Sequence, residues 1–165
     1  MSNKIKFAVV GCGHIGKRHA EMIIRNEDCE LAALADIKDK GQLGIAVYGD
    51  VPFFSTIDEL LKAVPGVDVV NIATPNGFHA EQALKALDAG KHVVLEKPMA
   101  LSKGDAEKII FKALQVHKQV FAVMQNRYSP PSAWLKELLD SGKLGKIFLV
   151  QINCYWNRDD RYYKK

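Results

Sequence analysis

The chain has 165 residues, of which 48% are hydrophobic and 25% are charged, and it carries a formal net charge of +4. This length and composition allow one sizeable buried core, and the basic residues are spread along the chain instead of forming the patch that nucleic-acid binding requires. No apolar run is long enough to span a bilayer, and the first residues lead into a predicted strand rather than a secretory signal. The sequence therefore predicts a cytoplasmic protein without a nucleic-acid or membrane partner. Its three cysteines and five histidines show no metal-ligand spacing, so no metal site is predicted.

The first predicted element is a buried strand at residues 4–10 that ends in a glycine-rich loop. Gly11, Gly13 and Gly16 follow the pattern G-x-G-x-x-G, and a helical pattern begins after them. In this pattern the first glycine makes a tight turn, the second lets the backbone approach a pyrophosphate, and the third lets the helix pack against the strand. The free N–H groups and the dipole at the start of the helix would face the anion. The predicted dinucleotide contacts of this loop are Gly11, Gly13, His14, Ile15 and Gly16.

A second predicted strand, residues 30–36, ends in a carboxylate. Asp36 lies twenty residues beyond the last glycine of the loop, where a dinucleotide-binding fold places the acid that binds the ribose diol. A carboxylate there repels a 2′-phosphate and so favours NAD over NADP, although Lys38 and Lys40 lie near enough to weaken that preference. The predicted cofactor contacts of this segment are Asp36 and Ile37.

Strands and helices continue to alternate, with short links, as far as residue 125. The predicted helices cover residues 42–48, 57–64, 78–89 and 102–116, and the predicted strands cover residues 53–54, 67–73, 92–95 and 119–123. Such alternation requires parallel strands joined by right-handed crossovers. The predicted fold class is therefore α/β, with a doubly wound parallel sheet of the Rossmann type, and residues 1–125 form its dinucleotide-binding domain.

Polar residues follow further strands at the edge of the sheet where such folds bind their ligands. Lys97 lies between a strand end and Pro98, where partial burial would make its ammonium group easier to deprotonate for acid–base chemistry. A solvated loop lysine is the alternative, just as a simple turn is the alternative for Thr74–Pro75 and a helix start for His79. The further predicted cofactor contacts are Thr74, Pro75, Asn76, His79, Glu96, Lys97 and Gln125.

The pattern changes in residues 126–165. A predicted helix at residues 132–140 is followed by a long β-rich run at residues 147–156, and no helix comes after it. A strand this apolar needs partner strands, and the sequence offers no candidates. This part is therefore expected to be a linker helix and the first strand of a truncated α/β substrate domain with an open sheet.

Several of these motifs together resemble the glucose–fructose oxidoreductase and inositol dehydrogenase family, Gfo/Idh/MocA, over essentially the whole chain. The matching stretches are residues 9–16, Ile72-Ala73-Thr74-Pro75 with His79, and Glu96-Lys97-Pro98, the last being the most specific. The resemblance implies that Lys97 sits beside the nicotinamide and the reacting hydroxyl as the catalytic lysine, that Glu96 orients the site, and that a cis bond precedes Pro98.

The same resemblance implies a second domain that supplies the substrate pocket, an acid–base histidine and the interface of a homo-oligomer. The chain stops before that histidine, so it is expected to bind NAD without turning over substrate by itself. An Asp-x-x-x-His pattern beyond residue 165 would indicate a dehydrogenase.

Two further stretches resemble the corresponding stretches of family members that oxidise nucleotide-linked sugars, in particular 3-dehydrogenases of UDP-N-acetylglucosaminuronate. They are residues 125–128, and Trp156-Asn157-Arg158 with Tyr162 and Tyr163. Guanidinium groups there would face a carboxylate or a phosphate, which they bind in bidentate fashion, unless they are rim charges. The substrate contacts implied by this resemblance are Arg127, Tyr128, Trp156 and Arg158.

The function predicted from the sequence is NAD-dependent oxidation of a secondary hydroxyl of a sugar, with Lys97 assisting removal of the hydroxyl proton while the carbon-bound hydrogen leaves as hydride. Three alternatives stay open at this point. The protein is a dehydrogenase of other sugars or of polyols such as inositol, an NAD(P)H-dependent reductase similar to biliverdin reductase, or a catalytically silent NAD-binding regulator.

Overall fold

The computed structural model describes residues 4–160, which fall into two units, residues 4–124 and residues 125–160. The strands of the first unit are β1 (Ile5–Val10), β2 (Cys29–Ala35), β3 (Phe53–Phe54), β4 (Val69–Ile72), β5 (His92–Leu95) and β6 (Val120–Ala122). They form one parallel sheet in the order β3-β2-β1-β4-β5-β6. This is the strand order of doubly wound dinucleotide-binding folds, so the predicted α/β class is confirmed.

Helices cover both faces of the sheet. They are α1 (His14–Arg25), α2 (Lys40–Leu43), α3 (Ile57–Ala63), α4 (His79–Asp88) and α5 (Lys103–Gln115). Neighbouring strand residues point to opposite faces, so Val9 packs in the core that includes Ala20 of α1, whereas Val10 packs in the core that includes Leu87 of α4 and Ile109 of α5. Both layers are apolar, and they leave the carboxyl ends of the central strands open at one edge.

Helix starts follow the capping signals in the sequence. The Thr56 hydroxyl accepts a hydrogen bond from the Glu59 amide at 3.1 Å, and the Ser102 hydroxyl accepts one from the Asp105 amide at 3.1 Å. The helix predicted at residues 42–48 is instead split into α2 and a 3-10 turn at Ala46–Tyr48. The physical reason is Gly44, whose φ of +62° ends α2 in a left-handed conformation.

The second unit contains a 3-10 turn at Gln125–Tyr128 and helix α6 (Pro130–Asp140). This helix begins two residues before the predicted start, because prolines are well suited to a first helical turn. The strand predicted at residues 147–156 was wrong: the segment has no regular structure, and its apolar side chains are exposed, Phe148 by 84%. High β-propensity forms a strand only when another strand pairs with its backbone, and none among residues 4–160 does so.

Candidate cofactor and active site

The carboxyl ends of β1, β2 and β4 open into a cavity of about 530 Å³. Residues from the three predicted cofactor-binding segments line it together, namely Gly11, Gly13, Asp36, Ile37, Thr74 and Pro75. These segments are far apart in the chain and meet because parallel strands end at the same edge. The cavity is therefore the candidate dinucleotide site, and His14 and Ile15 lie at the start of the helix beside it.

The three glycines of the loop have different surroundings. Gly11 has a φ of +90°, and a Cβ there would lie 2.7 Å from the Ala73 carbonyl carbon. A Cβ on Gly16 would lie 1.7 Å from the Gly11 carbonyl oxygen, whereas one on Gly13 would meet no atom within 4 Å. The fold itself thus requires glycine at positions 11 and 16. At position 13 the structure leaves open space, and no side chain caps the start of α1, so an anion has access to its N–H groups.

The Asp36 carboxylate is fixed by two main-chain donors. Its Oδ2 accepts the Cys12 amide at 2.7 Å and its Oδ1 accepts the Lys38 amide at 2.9 Å. Each oxygen keeps a further acceptor position for a ribose hydroxyl. Of the two lysines expected to weaken the preference for NAD, Lys40 donates to the Gly49 carbonyl at 3.1 Å, and only Lys38 lines the cavity.

Cys12 is buried within the glycine loop, where its thiol donates to the Ala35 carbonyl at 3.6 Å. Burial first, and the nearby Asp36 charge second, raise the pKa of the Cys12 thiol to about 12. The thiol therefore stays protonated at physiological pH and fills space beside the cavity as a small apolar group.

Cys12 is accordingly expected to resist alkylation in the native protein. At pH 8 a thiol with a pKa of about 12 is ionised to only about one part in 10⁴, and thiolate is the reactive species. Iodoacetamide should modify the exposed Cys154 quickly and Cys12 only after denaturation, as read by peptide mass mapping. Equal labelling rates for the two thiols in the native protein would contradict the burial of Cys12.

The Glu96-Lys97-Pro98 turn follows β5, and its carboxylate joins a hydrogen-bonded network. Glu96 Oε1 lies 3.0 Å from His19 Nε2, and His19 Nδ1 lies 2.9 Å from Asn71 Nδ2. The side chains of His19 and Glu96 are only 14% and 12% exposed. The Asn71 Oδ1 atom is buried and has no hydrogen-bond partner among the described residues, which costs about 1–3 kcal/mol.

The structure corrects one expectation about Lys97. Its side chain is exposed, not partly buried, at the end of β5. Its amide N–H donates to Glu96 Oε2 at 3.2 Å, and the Lys97–Pro98 bond is cis, as the resemblance implies. The backbone of this residue is thus held while its ammonium group remains accessible.

His79 is 1% exposed, and both of its ring nitrogens face main-chain carbonyl oxygens. Nδ1 lies 2.7 Å from the Pro98 oxygen and Nε2 lies 2.8 Å from the Thr74 oxygen. His79 therefore braces these two loops, and the cofactor contact predicted for it stays a prediction. The loop itself begins with the Thr74 hydroxyl bonded to Gln82 at 2.6 Å, and Asn76 starts a short 3-10 turn.

The remaining predicted residues belong to the second unit. Gln125, Arg127 and Tyr128 form its 3-10 turn. The Arg158 guanidinium lies 4.5 Å from the centroid of the Trp156 ring, a cation–π arrangement that presents a flat charged group over an exposed indole. Tyr162 and Tyr163 lie outside the described residues.

His19 and Asn71 are not among the site residues predicted from the sequence. An asparagine in a buried parallel strand was the available signal, because such a side chain needs a partner from a neighbouring element. Among residues 4–160, no group of three or more His, Cys, Asp or Glu side chains could hold a metal ion, and no helix is long and apolar enough to cross a membrane.

Comparison with known protein families shows which family the chain belongs to. Residues 5–124 match the family model described as "Oxidoreductase family, NAD-binding Rossmann fold". The chain belongs to the Gfo/Idh/MocA oxidoreductase family. Its first unit is the NAD-binding Rossmann domain of that family, which confirms the predicted resemblance and the predicted cofactor.

Individual Gfo/Idh/MocA relatives act on different substrates. D-glucoside 3-dehydrogenase of Escherichia coli (strain K12) is 31% identical over 151 residues, covering 90% of this chain and 43% of that protein. Inositol 2-dehydrogenase of Rhizobium meliloti (strain 1021) is 33% identical over 152 residues, covering 90% of this chain and 44% of that protein.

A solved dehydrogenase structure is also similar to this chain. The WlbA dehydrogenase from Bordetella pertussis, in complex with NADH and UDP-GlcNAcA, superposes with a TM-score of 0.90 at 33% identity, covering 98% of this chain and 50% of the WlbA chain. The present chain thus spans half the length, or less, of these relatives.

Proposed function

We propose that the complete protein is an NAD-dependent dehydrogenase that oxidises a secondary hydroxyl of a nucleotide-linked sugar, such as UDP-N-acetylglucosaminuronate at C3. The observation that carries this proposal is the meeting of the glycine loop, Asp36 and the Lys97 turn at one edge of the sheet. Similarity to WlbA, whose structure holds NADH and UDP-GlcNAcA, supports the choice of substrate.

The described residues fit a dinucleotide. The uncapped start of α1 offers N–H groups to a pyrophosphate, Gly13 leaves space for it, and the Asp36 carboxylate suits a ribose diol. NAD supplies the hydride acceptor when it is bound, and the protein supplies placement and electrostatics.

Lys97 is the proposed catalytic residue. Its exposed ammonium group follows β5 directly, so it can donate a hydrogen bond to the substrate oxygen and stabilise the negative charge that develops as the hydroxyl proton leaves. Its main chain is held by Glu96, which leaves only the side chain to adjust to the substrate.

We further propose that residues 126–165 begin a substrate domain. The proposed phosphate or carboxylate contacts in this part are Arg158, which lies over Trp156, with Arg127 and Tyr128, and Gln125 is a proposed cofactor contact. The complete protein would be a cytoplasmic homo-oligomer that assembles through the rest of that domain.

Oxidation of a polyol is the second candidate. It is favoured by the 33% identity to inositol 2-dehydrogenase of Rhizobium meliloti, which equals the identity to WlbA. The Rossmann unit serves either substrate class equally, because it binds the cofactor and not the sugar.

A substrate panel on the complete protein separates the candidates. NADH formation would be followed with UDP-N-acetylglucosaminuronate, UDP-N-acetylglucosamine, a simple glucoside and myo-inositol. The highest kcat/KM for the UDP-uronate supports the proposal, and the highest value for myo-inositol replaces it with the second candidate. Tight NAD binding without turnover of any of them would favour a regulatory protein.

The Asp36 carboxylate is expected to set the choice between NAD and NADP. Asp36→Ala should weaken NAD binding by about 10- to 100-fold, the size expected for lost hydrogen bonds to a charged group. The ratio of NADP to NAD affinity should rise, because the repulsion of a 2′-phosphate is removed. Calorimetry with both cofactors measures the change, and Asp36→Asn, which keeps one acceptor oxygen, isolates the effect of the charge. An unchanged ratio in both variants would show that Asp36 does not face the ribose.

A further inference from the structure

A line of hydrogen bonds runs from strand β4 through helix α1 to the Lys97 turn. Asn71 contacts His19 at 2.9 Å, His19 contacts Glu96 at 3.0 Å, and Glu96 accepts the Lys97 amide at 3.2 Å. The links join residues 52 and 77 positions apart in the chain, so they are tertiary contacts and not consequences of local helix or turn geometry. The line ends on the backbone of the residue proposed to touch the substrate.

The chemistry of the groups sets the direction of donation. An amide nitrogen can only donate, so the contact from Asn71 Nδ2 makes His19 Nδ1 an acceptor. The ring proton is then on Nε2, which donates to Glu96 Oε1. Because the other carboxylate oxygen accepts the Lys97 amide, Glu96 cannot rotate without losing a hydrogen bond.

The network is a poor device for stability. Asn71 is 5% exposed and the side chains of His19 and Glu96 are 14% and 12% exposed, so the network withdraws three polar side chains from water at a desolvation cost that apolar side chains of similar size would avoid. What it provides instead is a fixed orientation for the Glu96 carboxylate. If the network serves to position Glu96, its desolvation cost is explained. If it served only to pack the core, apolar side chains would do so at a lower cost.

His19 lies on α1, the helix whose first residue directly follows the glycine loop. The helix begins at His14, directly after the glycine loop, and His19 lies about 7.5 Å further along the axis. The rigid element that offers its N–H groups to the pyrophosphate therefore also holds Glu96. A pyrophosphate bound at the start of α1 would therefore have its distance from the Lys97 backbone set by this one helix.

The other side of the turn is held independently. The Pro98 carbonyl oxygen lies 2.7 Å from the buried His79 ring. Lys97 thus lies between two anchored groups, its own amide and the carbonyl of the next residue, while its side chain stays exposed. Removing one anchor frees the turn on one side only, so the effect should appear in the position of Lys97 and not in the fold.

We propose that His19 is a positioning residue, which holds the Glu96 carboxylate so that Lys97 is fixed relative to the pyrophosphate-binding end of α1. This inference rests on the proposed function, in which Lys97 acts on the substrate hydroxyl. It assigns no contact between His19 and substrate or cofactor.

Kinetics of the complete protein provide the first test. His19→Leu should lower kcat by about 10- to 100-fold, since a misplacement of about 1 Å is enough for such a loss, while the Kd for NAD changes by less than about threefold. His19→Gln keeps a neutral donor and acceptor and should recover kcat to within about fivefold. Arg18→Gln, on the exposed side of the same helix, serves as the matched control and should leave kcat unchanged.

The second test needs no turnover. In the 165-residue chain, solvent exchange of the Lys97 amide hydrogen should be faster in His19→Leu than in the unaltered chain and should be unchanged in His19→Gln and Arg18→Gln, as followed by NMR. Exchange in the central strands β1 and β4 should not change. A role in packing alone would predict the opposite, faster exchange throughout the sheet without a selective effect at Lys97.

Each outcome decides the inference. Unchanged kcat and unchanged Lys97 amide exchange in His19→Leu overturn it, even if Lys97→Ala abolishes turnover. A fully active Lys97→Ala variant overturns the catalytic role proposed for Lys97 instead, and absence of turnover with every substrate of the panel overturns the proposed function. If His19→Leu does not fold, Glu96→Gln carries the test, because it removes one of the two acceptor oxygens. Where His19→Leu folds, the double variant His19→Leu/Glu96→Gln tests whether the two residues act on Lys97 together. A loss of kcat smaller than the product of the two single losses supports that coupling, and a loss equal to the product contradicts it.

Discussion

In the complete protein, replacing Lys97 by alanine is expected to lower kcat by about 10²- to 10⁴-fold, the range for loss of a positioned acid–base group. The Kd for NAD should change by less than about threefold, because the side chain projects from the end of β5 and does not line the cavity that holds Asp36 and the glycine loop. The unfolding free energy should stay within about 0.5 kcal/mol, as for other exposed side chains. Initial rates measure the loss of kcat, and calorimetry measures the Kd for NAD.

Two matched variants define what Lys97 contributes. Lys97→Arg keeps the positive charge but cannot release a proton in the working pH range. A large residual kcat in this variant would show that Lys97 acts through its charge. A kcat near that of Lys97→Ala would show that Lys97 transfers a proton. Lys62→Ala removes an exposed lysine from α3 and should leave kcat unchanged. Turnover by Lys97→Ala within about twofold of the unaltered protein would remove Lys97 from the reaction.

The arrangement of the first unit was predictable because its signals are local. The strand at His92–Leu95 matches its predicted bounds, since an apolar run there lies between Gly90 and a proline turn. Thr56 and Ser102 mark helix starts through contacts only three residues away. Once the alternation of strands and helices is recognised, chirality rules leave few topologies, and the observed strand order is one of them.

The features that the sequence did not predict correctly all depend on contacts between residues that are far apart in the chain. Residues 147–156 have strong β-propensity, but a strand requires a neighbour and the described residues offer none. The network of His19, Asn71 and Glu96 depends on which faces of β4 and α1 meet, and periodicity does not specify that contact. For His79 the residue type does not specify that both ring nitrogens lie next to main-chain carbonyl oxygens, and its predicted cofactor contact stays a prediction.

The glycine loop shows what can be learned from sequence spacing and what only the structure adds. The spacing alone identified all three glycines, but only the structure separates those that the fold needs from the one that a ligand needs. Gly16 packs against the Gly11 carbonyl, and Gly13 faces open space. This difference yields a substitution that tests binding without disturbing the fold.

Gly13→Val is expected to weaken NAD binding by at least about 100-fold, equivalent to about 2.7 kcal/mol, because the added methyl groups occupy the space through which a pyrophosphate reaches the start of α1. The protein should stay folded. Position 13 has φ −69° and ψ −166°, an extended conformation that valine adopts readily, and its Cβ meets no atom within 4 Å. The loss of a glycine cap should cost at most about 1 kcal/mol.

Two further glycine variants show whether the lost affinity reports the ligand or the fold. Gly41→Ala adds a Cβ in an equally open environment away from the loop and should bind NAD normally. Gly16→Ala places a Cβ 1.7 Å from the Gly11 oxygen and should destabilise the unit itself. Calorimetric titration with NAD and thermal unfolding on the same samples give both quantities. Unchanged NAD affinity in Gly13→Val would mean that the pyrophosphate does not approach this loop, whereas lost affinity with an unchanged melting temperature places it against the start of α1.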